Sequence, residues 1–376
     1  MLSYSRQSID ESDIKAVLGA LKDEFLTGGA KVEAFEKALC EYVGVKSACV
    51  VNSATSALHL AYLVLGVKDK VVLTTPLSFI ATANAAVMAG ARVEFIDIKN
   101  DGNIDEKKLE ERLAQKSDDI GCICVVDFAG NSVEMDTIKA LSVKHKIPLL
   151  DDASHALGAE FKGAKVGSQA DISVFSFHPV KPITTFEGGA LVSNDEDLIK
   201  RARCLRSHGI NKKQLWNSDS TELGYNYRLS DVACALGLNQ LKKLDTMLAK
   251  REQIAAFYDE VFAKSPYFST IKIAPYKKSS RHLYPILLFS EFYCQKEFIF
   301  DELLRRGIGV QVHYKPAYDF SFYKKLLGQL YLEKADNFYK AELSIPCHQE
   351  MSLQNAEFVR DNLYEVFELA KKGCKG

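Results

Sequence analysis

The stretch IPLLDDASHALGA, residues 147–159, decides the fold because its apolar run leads directly into two carboxylates. An apolar run without polar alternation is typical of a strand that is buried on both faces of a parallel sheet. We predict that a short helix follows this strand. Ligands of such sheets bind beyond the carboxyl ends of the strands, so Asp151 and Asp152 are candidate site residues. Either one alone could equally be a helix cap.

Similar apolar runs lie on both sides of this stretch: SACVV, VVLTT, RVEFIDI and GCICVVDF before it, and DISVFSF and GALVS after it. They alternate with helical periodicity, which predicts an α/β fold with a mostly parallel sheet covered by helices. Two short helices are predicted before the first strand, joined by the loop EFLTGGAK at residues 24–31.

A helix is predicted over residues 229–262, and a mixed segment follows it. In that segment RHLYPILLF and GIGVQVHY have strand-like patterns, and a helix is predicted near residues 297–306. We therefore predict a large domain over residues 1–245 and a smaller α+β domain over residues 246–376.

Composition argues against several classes of protein. The 376 residues include 48 Lys plus Arg and 49 Asp plus Glu, so neither nucleic acid nor an acidic membrane is an expected partner. The sequence has neither a signal-peptide pattern nor a run of eighteen apolar residues, which predicts a cytoplasmic protein. Nine cysteines without zinc-like spacing indicate reduced thiols and no metal site.

The segment SVFSFHPVKPITTFEGGA, residues 173–190, places Lys181 just after a buried strand. A lysine is usually a solvated surface residue, but partial desolvation at a strand end favours a neutral, nucleophilic amine. Schiff-base chemistry is then reasonable. A cofactor with a pyridinium nitrogen would need an anionic partner, and Asp152 suits that role. His155 could contact the same ring or be a satisfied structural histidine.

The segment VVNSATSALHLAYLVLG, residues 50–66, predicts a strand, a tight polar turn and a helix that begins near Ala54. Backbone N–H groups and hydroxyls at such a helix start can bind a phosphate, although most sequences of this kind are ordinary N-caps. The chain has no GxGxxG motif, and residues 158–165 fail as a Walker loop because Ala164 follows the second glycine. NAD and ATP are therefore disfavoured.

Five segments together resemble the signatures of the DegT/DnrJ/EryC1/StrS family of sugar aminotransferases: NSATSAL, TTPLSFIATANA, DDASHALGA, SVFSFHPVKPITTFEGGA and GYNYRLSDVACALGLNQL. The resemblance implies a type I PLP-dependent aminotransferase fold and a homodimer with shared active sites. Within the family, the likeness is to the branch that acts on the route to pseudaminic acid. It implies transfer of an amino group from L-glutamate to C4 of UDP-4-keto-6-deoxy-N-acetyl-L-hexosamine, in flagellin or surface-glycan modification.

The resemblance also implies roles for individual residues. Lys181 would hold pyridoxal phosphate covalently and shuttle protons, Asp152 would pair with its ring nitrogen, and Phe79 would stack on its ring. Phosphate contacts would come from Ala54, Thr55 and Ser176, and from Asn226 of the other subunit. The nucleotide-sugar contacts would be Tyr4, Glu24, Phe25, Leu26, Thr27, Ala54, Ser176, Asn226, Gln311, Val312, His313 and Tyr314.

Two features near these motifs have no assigned role. Arg228 could contact ligand or form a structural ion pair. Trp216 and its neighbours, residues 211–220, look like a surface loop near the site entrance.

Alternatives remain open. Another nucleotide-linked 4-keto sugar, D-configured or GDP-linked, would need the same core residues. A PLP-dependent lyase or desulfurase would also need Lys181 and Asp152, but would usually add a mobile cysteine or an arginine for the substrate carboxylate. A non-catalytic regulatory protein could keep the fold, and the intact lysine argues against it.

Overall fold

The computed structural model describes residues 1–115, 119–214 and 216–373. The elements up to residue 206 are α1 (Glu11–Ala20), α2 (Ala30–Val43), β1 (Ser47–Val51), α3 (Ala54–Leu65), β2 (Val71–Thr74), α4 (Ala81–Met88), β3 (Arg92–Phe95), α5 (Glu106–Gln115), β4 (Ile120–Val126), α6 (Met135–His145), β5 (Leu149–Asp152), β6 (Glu160–Phe161), β7 (Ala164–Lys165), β8 (Ile172–Ser176), β9 (Gly189–Ser193) and α7 (Glu196–Arg206).

The remaining elements are β10 (Ile210–Gln214), β11 (Asn217–Ser220), α8 (Asp231–Val261), β12 (Phe268–Thr270), β13 (Lys277–Lys278), β14 (Tyr284–Leu288), α9 (Lys296–Arg305), α10 (Ser321–Leu327), α11 (Glu333–Ala341), β15 (Glu342–Ile345) and α12 (Leu353–Gly373). Short 3-10 helices lie at Phe128–Gly130, Ser290–Gln295 and Ala317–Asp319.

A seven-stranded sheet forms the centre of the fold, in the order β1-β9-β8-β5-β4-β2-β3. Strand β9 runs antiparallel to both of its neighbours, and the pairs from β8 to β3 are parallel. Apolar clusters cover both faces, which is why these strands are mostly apolar. The predicted mostly parallel sheet is confirmed, and its strands are the runs identified in the sequence.

Two helices precede the sheet, as the periodicity predicted. Helix α1 follows Asp10, whose side chain accepts hydrogen bonds from the backbone N–H groups of Ser12 and Asp13. Helix α2 ends at Val43 and is capped by Gly44, which has a positive φ of 81° that suits glycine. The loop between the helices contains the residues expected to contact substrate.

A second sheet, β12-β14-β15, is antiparallel and packs with α9 and α12 around its own apolar cluster. This sheet and its helices form the smaller α+β part of the predicted fold. The boundary at residue 246 stays a prediction, because the 31-residue helix α8 runs continuously across it. No helix within the described ranges has both the length and the apolar character required to cross a bilayer.

Two local predictions near the site are wrong. The residues after Asp152 form turns instead of a helix, because Ser154 directs its backbone N–H and its hydroxyl back to the Asp152 carboxylate. The GIGVQVHY segment is not a strand: it pairs through isolated bridges at Ile308 and Gln311. The backbone N–H of His313 donates to a carboxylate rather than to a neighbouring strand.

The predicted surface loop at residues 211–220 is also wrong, since β10 and β11 pair there as an antiparallel hairpin. Leu215 lies outside the described residues. Trp216 is 83 % exposed, and the side chains of β11 are all exposed and polar, so the pattern gave no apolar face from which to predict strands.

Candidate active site

A cavity of about 730 Å³ lies at the carboxyl edge of the central sheet. Strand ends and helix starts of the sheet form one side, and residues 311–315 form the other. The structure thus brings together residues from distant motifs. The predicted site residues that line the cavity are Tyr4, Ala54, Thr55, Phe79, Asp152, His155, Ser176, Lys181, Gln311, Val312, His313 and Tyr314.

Asp152 is the last residue of β5 and is held in one orientation. Its Oδ2 accepts a hydrogen bond from Thr82 Oγ1 at 2.6 Å. Its Oδ1 accepts from Ser154, through the hydroxyl at 2.5 Å and the backbone N–H at 3.2 Å. Because donors bind both oxygens, the buried carboxylate is held in one position on the cavity wall.

Lys181 lies in the turn that follows β8, with 9 % of its surface exposed. Burial lowers the pKa of its amine to about 7; the negative charge of Asp152 opposes this shift and the positive charge of Arg251 adds to it. The Nζ atom is 3.2 Å from His282 Nε2. A substantial fraction of the amine is therefore neutral near pH 7, as a nucleophile or base requires.

His155 and Tyr314 form a hydrogen-bonded pair beside the lysine, 3.0 Å apart. The backbone N–H of Ala129 donates to His155 Nδ1, so a neutral ring carries its proton on Nε2 and donates to the tyrosine oxygen. Burial, with the charge of Lys181 second, lowers the pKa of His155 well below its usual range. Tyr314 thus keeps its own hydroxyl proton available to donate.

The start of α3 has the features of an anion site. Ser53 is the N-cap, and its hydroxyl accepts from the backbone N–H of Ser56 at 3.1 Å. The hydroxyl-bearing residues Thr55 and Ser176 line the cavity at this point. A Cβ on Gly189 would lie 2.6 Å from the backbone nitrogen of Ala54, so only glycine lets β9 begin this close to the helix. Free helix-start N–H groups and hydroxyls favour a phosphate.

Residues 311–315 form the opposite wall and depend on β15 for their position. The backbone N–H of His313 donates to Glu342, and its Nδ1 is 2.8 Å from Ser344 Oγ. Burial lowers the pKa of His313 to about 3 and raises that of Glu342 to about 8. Tyr4 packs on His313 with ring centroids 5.2 Å apart, which attaches the N-terminal residues to this wall.

Five predicted site residues lie outside the cavity lining: Glu24, Phe25, Leu26, Thr27 and Asn226. All five are exposed in the single chain. Thr27 and Asn226 form isolated backbone bridges with Ser230 and Ser207, respectively. The roles of these five residues stay predictions.

Arg228, which had no assigned role, has a half-buried side chain and forms a backbone bridge with Val51. Its ligand role stays open.

Sequence reasoning missed three residues that contact the central pair. Thr82 and Ser154 lie within the quoted motifs, and their hydroxyls could have been considered as donors to Asp152. His282 precedes β14 by two residues, and only its position in the sequence, a histidine before a buried strand, could have indicated it.

The model of the DegT/DnrJ/EryC1/StrS aminotransferase family matches residues 7–364. The chain belongs to this family. A curated relative from Campylobacter jejuni (strain 81-176), UDP-4-amino-4,6-dideoxy-N-acetyl-beta-L-altrosamine transaminase, is 72% identical over 376 residues, which is 100% of both chains. The family predicted from the sequence motifs is confirmed.

Solved structures of family members share the fold. Helicobacter pylori PseC, an aminotransferase involved in the biosynthesis of pseudoaminic acid, has a TM-score of 0.94 and 44% identity, covering 98% of this chain and 99% of that one. The putative sugar aminotransferase Spr1654 from Streptococcus pneumoniae, in its PMP-form, has a TM-score of 0.94 and 29% identity. The match covers 98% of this chain and 100% of that one. The predicted aminotransferase fold is therefore confirmed.

Proposed function

We propose that this enzyme transfers an amino group from L-glutamate to C4 of UDP-4-keto-6-deoxy-N-acetyl-L-hexosamine, using pyridoxal phosphate. The product would be UDP-4-amino-4,6-dideoxy-N-acetyl-β-L-altrosamine, in pseudaminic acid biosynthesis. The observation that carries the proposal is the full-length 72% identity to a transaminase named for this product, in a chain whose cavity unites Lys181 with Asp152.

The residues of the cavity fit pyridoxal phosphate. The start of α3, with Thr55 and Ser176, would hold the phosphate, and Asp152 would hold a proton on the ring nitrogen. Phe79 is 62 % exposed at the cavity, as expected of a ring that stacks on a ligand. His155 would contact the ring or its phenolic oxygen.

Lys181 would be the group that bonds the cofactor and moves protons. When bound, pyridoxal phosphate supplies an aldehyde that bonds amines and a ring that withdraws electrons from the neighbouring carbon. With a pKa of about 7, Lys181 can accept a proton at Nζ from the α-carbon of the amino donor and return it afterwards. Asp152 would support this step by holding a proton on the ring nitrogen.

The wall at residues 311–315 would bind the nucleotide-sugar. Tyr314 has a donor hydroxyl fixed by His155, and burial raises its pKa well above its usual range, so it stays protonated. It could hydrogen-bond a sugar oxygen without becoming charged. Tyr4 and Gln311 flank it and would make further contacts.

The remaining elements of the proposal concern assembly and location. Residues 24–27 and Asn226 would complete the site of a second subunit, so the enzyme would act as a homodimer. The protein would work in the cytoplasm, supplying an amino sugar for flagellin or another surface glycan.

The test is an absorption spectrum of the purified, cofactor-loaded protein. We expect L-glutamate to remove the near-visible band of the bound cofactor, and the correct keto-sugar to restore it. We would compare three substrates: the L-configured UDP-4-keto-6-deoxy-N-acetylhexosamine, its D-configured counterpart and a GDP-linked keto-sugar. The mass of each product is recorded.

Restoration by the L-sugar alone, with the mass change of amination, supports the proposal. Restoration by a different sugar alone would refute the substrate assignment while keeping the reaction class. If reduction fails to fix the cofactor covalently on Lys181, the cofactor assignment is wrong.

A further inference from the structure

His282 contacts the amine of Lys181 from outside the cavity. It is 1 % exposed, it does not belong to the residues that line the cavity, and its Nε2 is 3.2 Å from Lys181 Nζ. The lysine therefore has the open cavity on one side and a single imidazole nitrogen on the other.

The imidazole of His282 is fixed in place. Its backbone carbonyl accepts a hydrogen bond from the fully buried guanidinium of Arg251 at 3.3 Å. The same guanidinium nitrogen donates to the carbonyls of Arg281 and Cys347. The ring of His282 packs on that of His155, with centroids 4.5 Å apart. Displacement of the His282 backbone would break one of the contacts that hold this buried cation and would disturb the ring packing.

The surroundings of His282 keep the ring neutral. Burial, followed by the charges of Lys181, His155, Arg251 and His313, lowers its pKa well below the usual range. When Lys181 is an ammonium group it has only donors, so Nε2 then accepts and the ring proton sits on Nδ1. Within the described structure Nδ1 has no hydrogen-bond partner. An unpaired buried N–H costs free energy, which an apolar side chain at this position would avoid.

We propose that His282 is a positioning residue that receives the Lys181 amine whenever the lysine is not bonded to the cofactor. This inference rests on the proposed function, because a transaminase must release this lysine in every half-reaction. A released amine could otherwise rotate among several positions. The hydrogen bond to a fixed ring keeps Nζ within reach of the carbon that it must deprotonate, which is the geometric condition for efficient proton transfer.

The proton balance of this step is simple. Lys181 Nζ gains one proton from the donor carbon, where a C–H bond breaks, and becomes an ammonium group. His282 Nε2 accepts a hydrogen bond from that group, and His282 neither gains nor loses a proton. Nζ then returns the proton to the reacting molecule. The resulting neutral amine stays at the same position beside His282.

The first measurement uses cofactor-free protein, so that the position of the amine is tested apart from turnover. Trace labelling with acetic anhydride across pH 5–10, followed by mass spectrometry of the Lys181 peptide, gives the pKa of the amine. His282→Phe keeps a ring but removes the acceptor. Because a hydrogen bond to the charged form raises the pKa, we expect it to fall by about one unit or more in this variant. His282→Gln, which keeps an acceptor near Nε2, should restore most of the shift.

The second measurement follows the glutamate half-reaction of the loaded enzyme by stopped flow. We expect His282→Phe to slow this step at least tenfold, with little change in the glutamate concentration needed for half saturation. Glutamate deuterated at the α-carbon should show a larger isotope effect in the variant, and His282→Gln should recover most of the rate.

His59→Phe is the matched control, since His59 is 2 % exposed and also has an unpartnered ring nitrogen, but it hydrogen-bonds Tyr227 instead. It should change neither the Lys181 pKa nor the isotope effect. An unchanged Lys181 pKa in His282→Phe would overturn the positioning role while leaving the proposed function intact. Wild-type protein that titrates as expected but does not react with glutamate would instead refute the proposed function.

Discussion

The carboxyl groups of Asp127 and Asp151 lie close enough in the interior for each to shift the pKa of the other, and Asp151 directly precedes the carboxylate that faces the cavity. Both residues are fully buried. Asp127 Oδ2 and Asp151 Oδ1 have no hydrogen-bond partner in the described structure, so a proton held between the two carboxyl groups would satisfy both atoms. Burial raises the pKa of Asp127 to about 7 and that of Asp151 well above its usual range.

A proton shared by the two carboxyl groups should make stability depend on pH, and Asp151→Asn should reduce that dependence. The pKa values of this pair are higher in the folded state than in the unfolded state. The stabilisation of the folded state by the bound proton is therefore complete below about pH 4 and is lost as pH rises through about 7. One proton bound only in the folded state lowers the free energy of unfolding by about 1.4 kcal/mol per pH unit. Urea unfolding at pH 5, 6, 7 and 8 should show a slope that is smaller by this amount in the variant.

The charged groups near this pair are Asp152 and Lys277, and both remain in the variant. Asp301→Asn, which removes an exposed carboxylate on α9, is the control and should leave the slope as it is in the wild type. Equal slopes in Asp151→Asn and wild type would show that the pair holds no extra proton.

Turnover should fall as pH is lowered through the pKa of Lys181. Below about pH 7 the amine becomes protonated and cannot act as a base, so the rate of the glutamate half-reaction should drop about tenfold per pH unit. Lys181→Arg keeps a charge without a usable base, and turnover should fall by at least about a thousandfold. A variant with near-normal turnover would contradict the role of the lysine.

Thr82→Val should weaken cofactor binding without unfolding the protein. The substitution removes the 2.6 Å hydrogen bond to Asp152 Oδ2, an interaction of about 1.5–3 kcal/mol for a charged acceptor. We expect the dissociation constant of pyridoxal phosphate, measured by fluorescence titration, to rise about tenfold or more. Thr137→Val on the exposed face of α6 should leave that constant unchanged.

Gly189→Ala and Gly19→Ala should have opposite effects. At Gly189 the new Cβ would lie within 2.8 Å of three backbone atoms of Ser53 and Ala54, which cannot move without displacing the start of α3. We expect a loss of about 1–3 kcal/mol in stability and weaker phosphate binding. Gly19, in α1, has open space and should gain about 0.5–1 kcal/mol on substitution. Thermal unfolding and cofactor titration of both variants check this pair.

The central sheet was predictable because strands that are buried on both faces consist largely of apolar residues. Strands such as SACVV and GALVS are mostly apolar and buried at every position, and the carboxylates that end β5 are conspicuous after such a run. Lys181 and Asp152 could be placed at one edge for the same reason, since parallel strands end together.

Features that depend on tertiary contacts could not be predicted. The GIGVQVHY segment has strand-like composition, but the hydrogen bond from the His313 backbone goes to Glu342, some thirty positions away in the sequence. His282 has no local signature, because its importance comes from its 3.2 Å contact with a residue 101 positions earlier. The 211–220 hairpin has polar strands without an apolar face.

The wall at residues 311–315 has an evolutionary consequence. It is attached through the bridge between Gln311 and Ser344, through side-chain bonds to β15 and through the Tyr314–His155 hydrogen bond. Asp152 ends a strand, and Lys181 follows one, that is paired with its neighbours in the central sheet. Mutations can therefore reshape the wall that we propose for sugar binding while the strand pairing under Lys181 and Asp152 stays intact. A chain built in this way can change its sugar preference by substitutions in this wall and keep the residues that we propose for the chemistry.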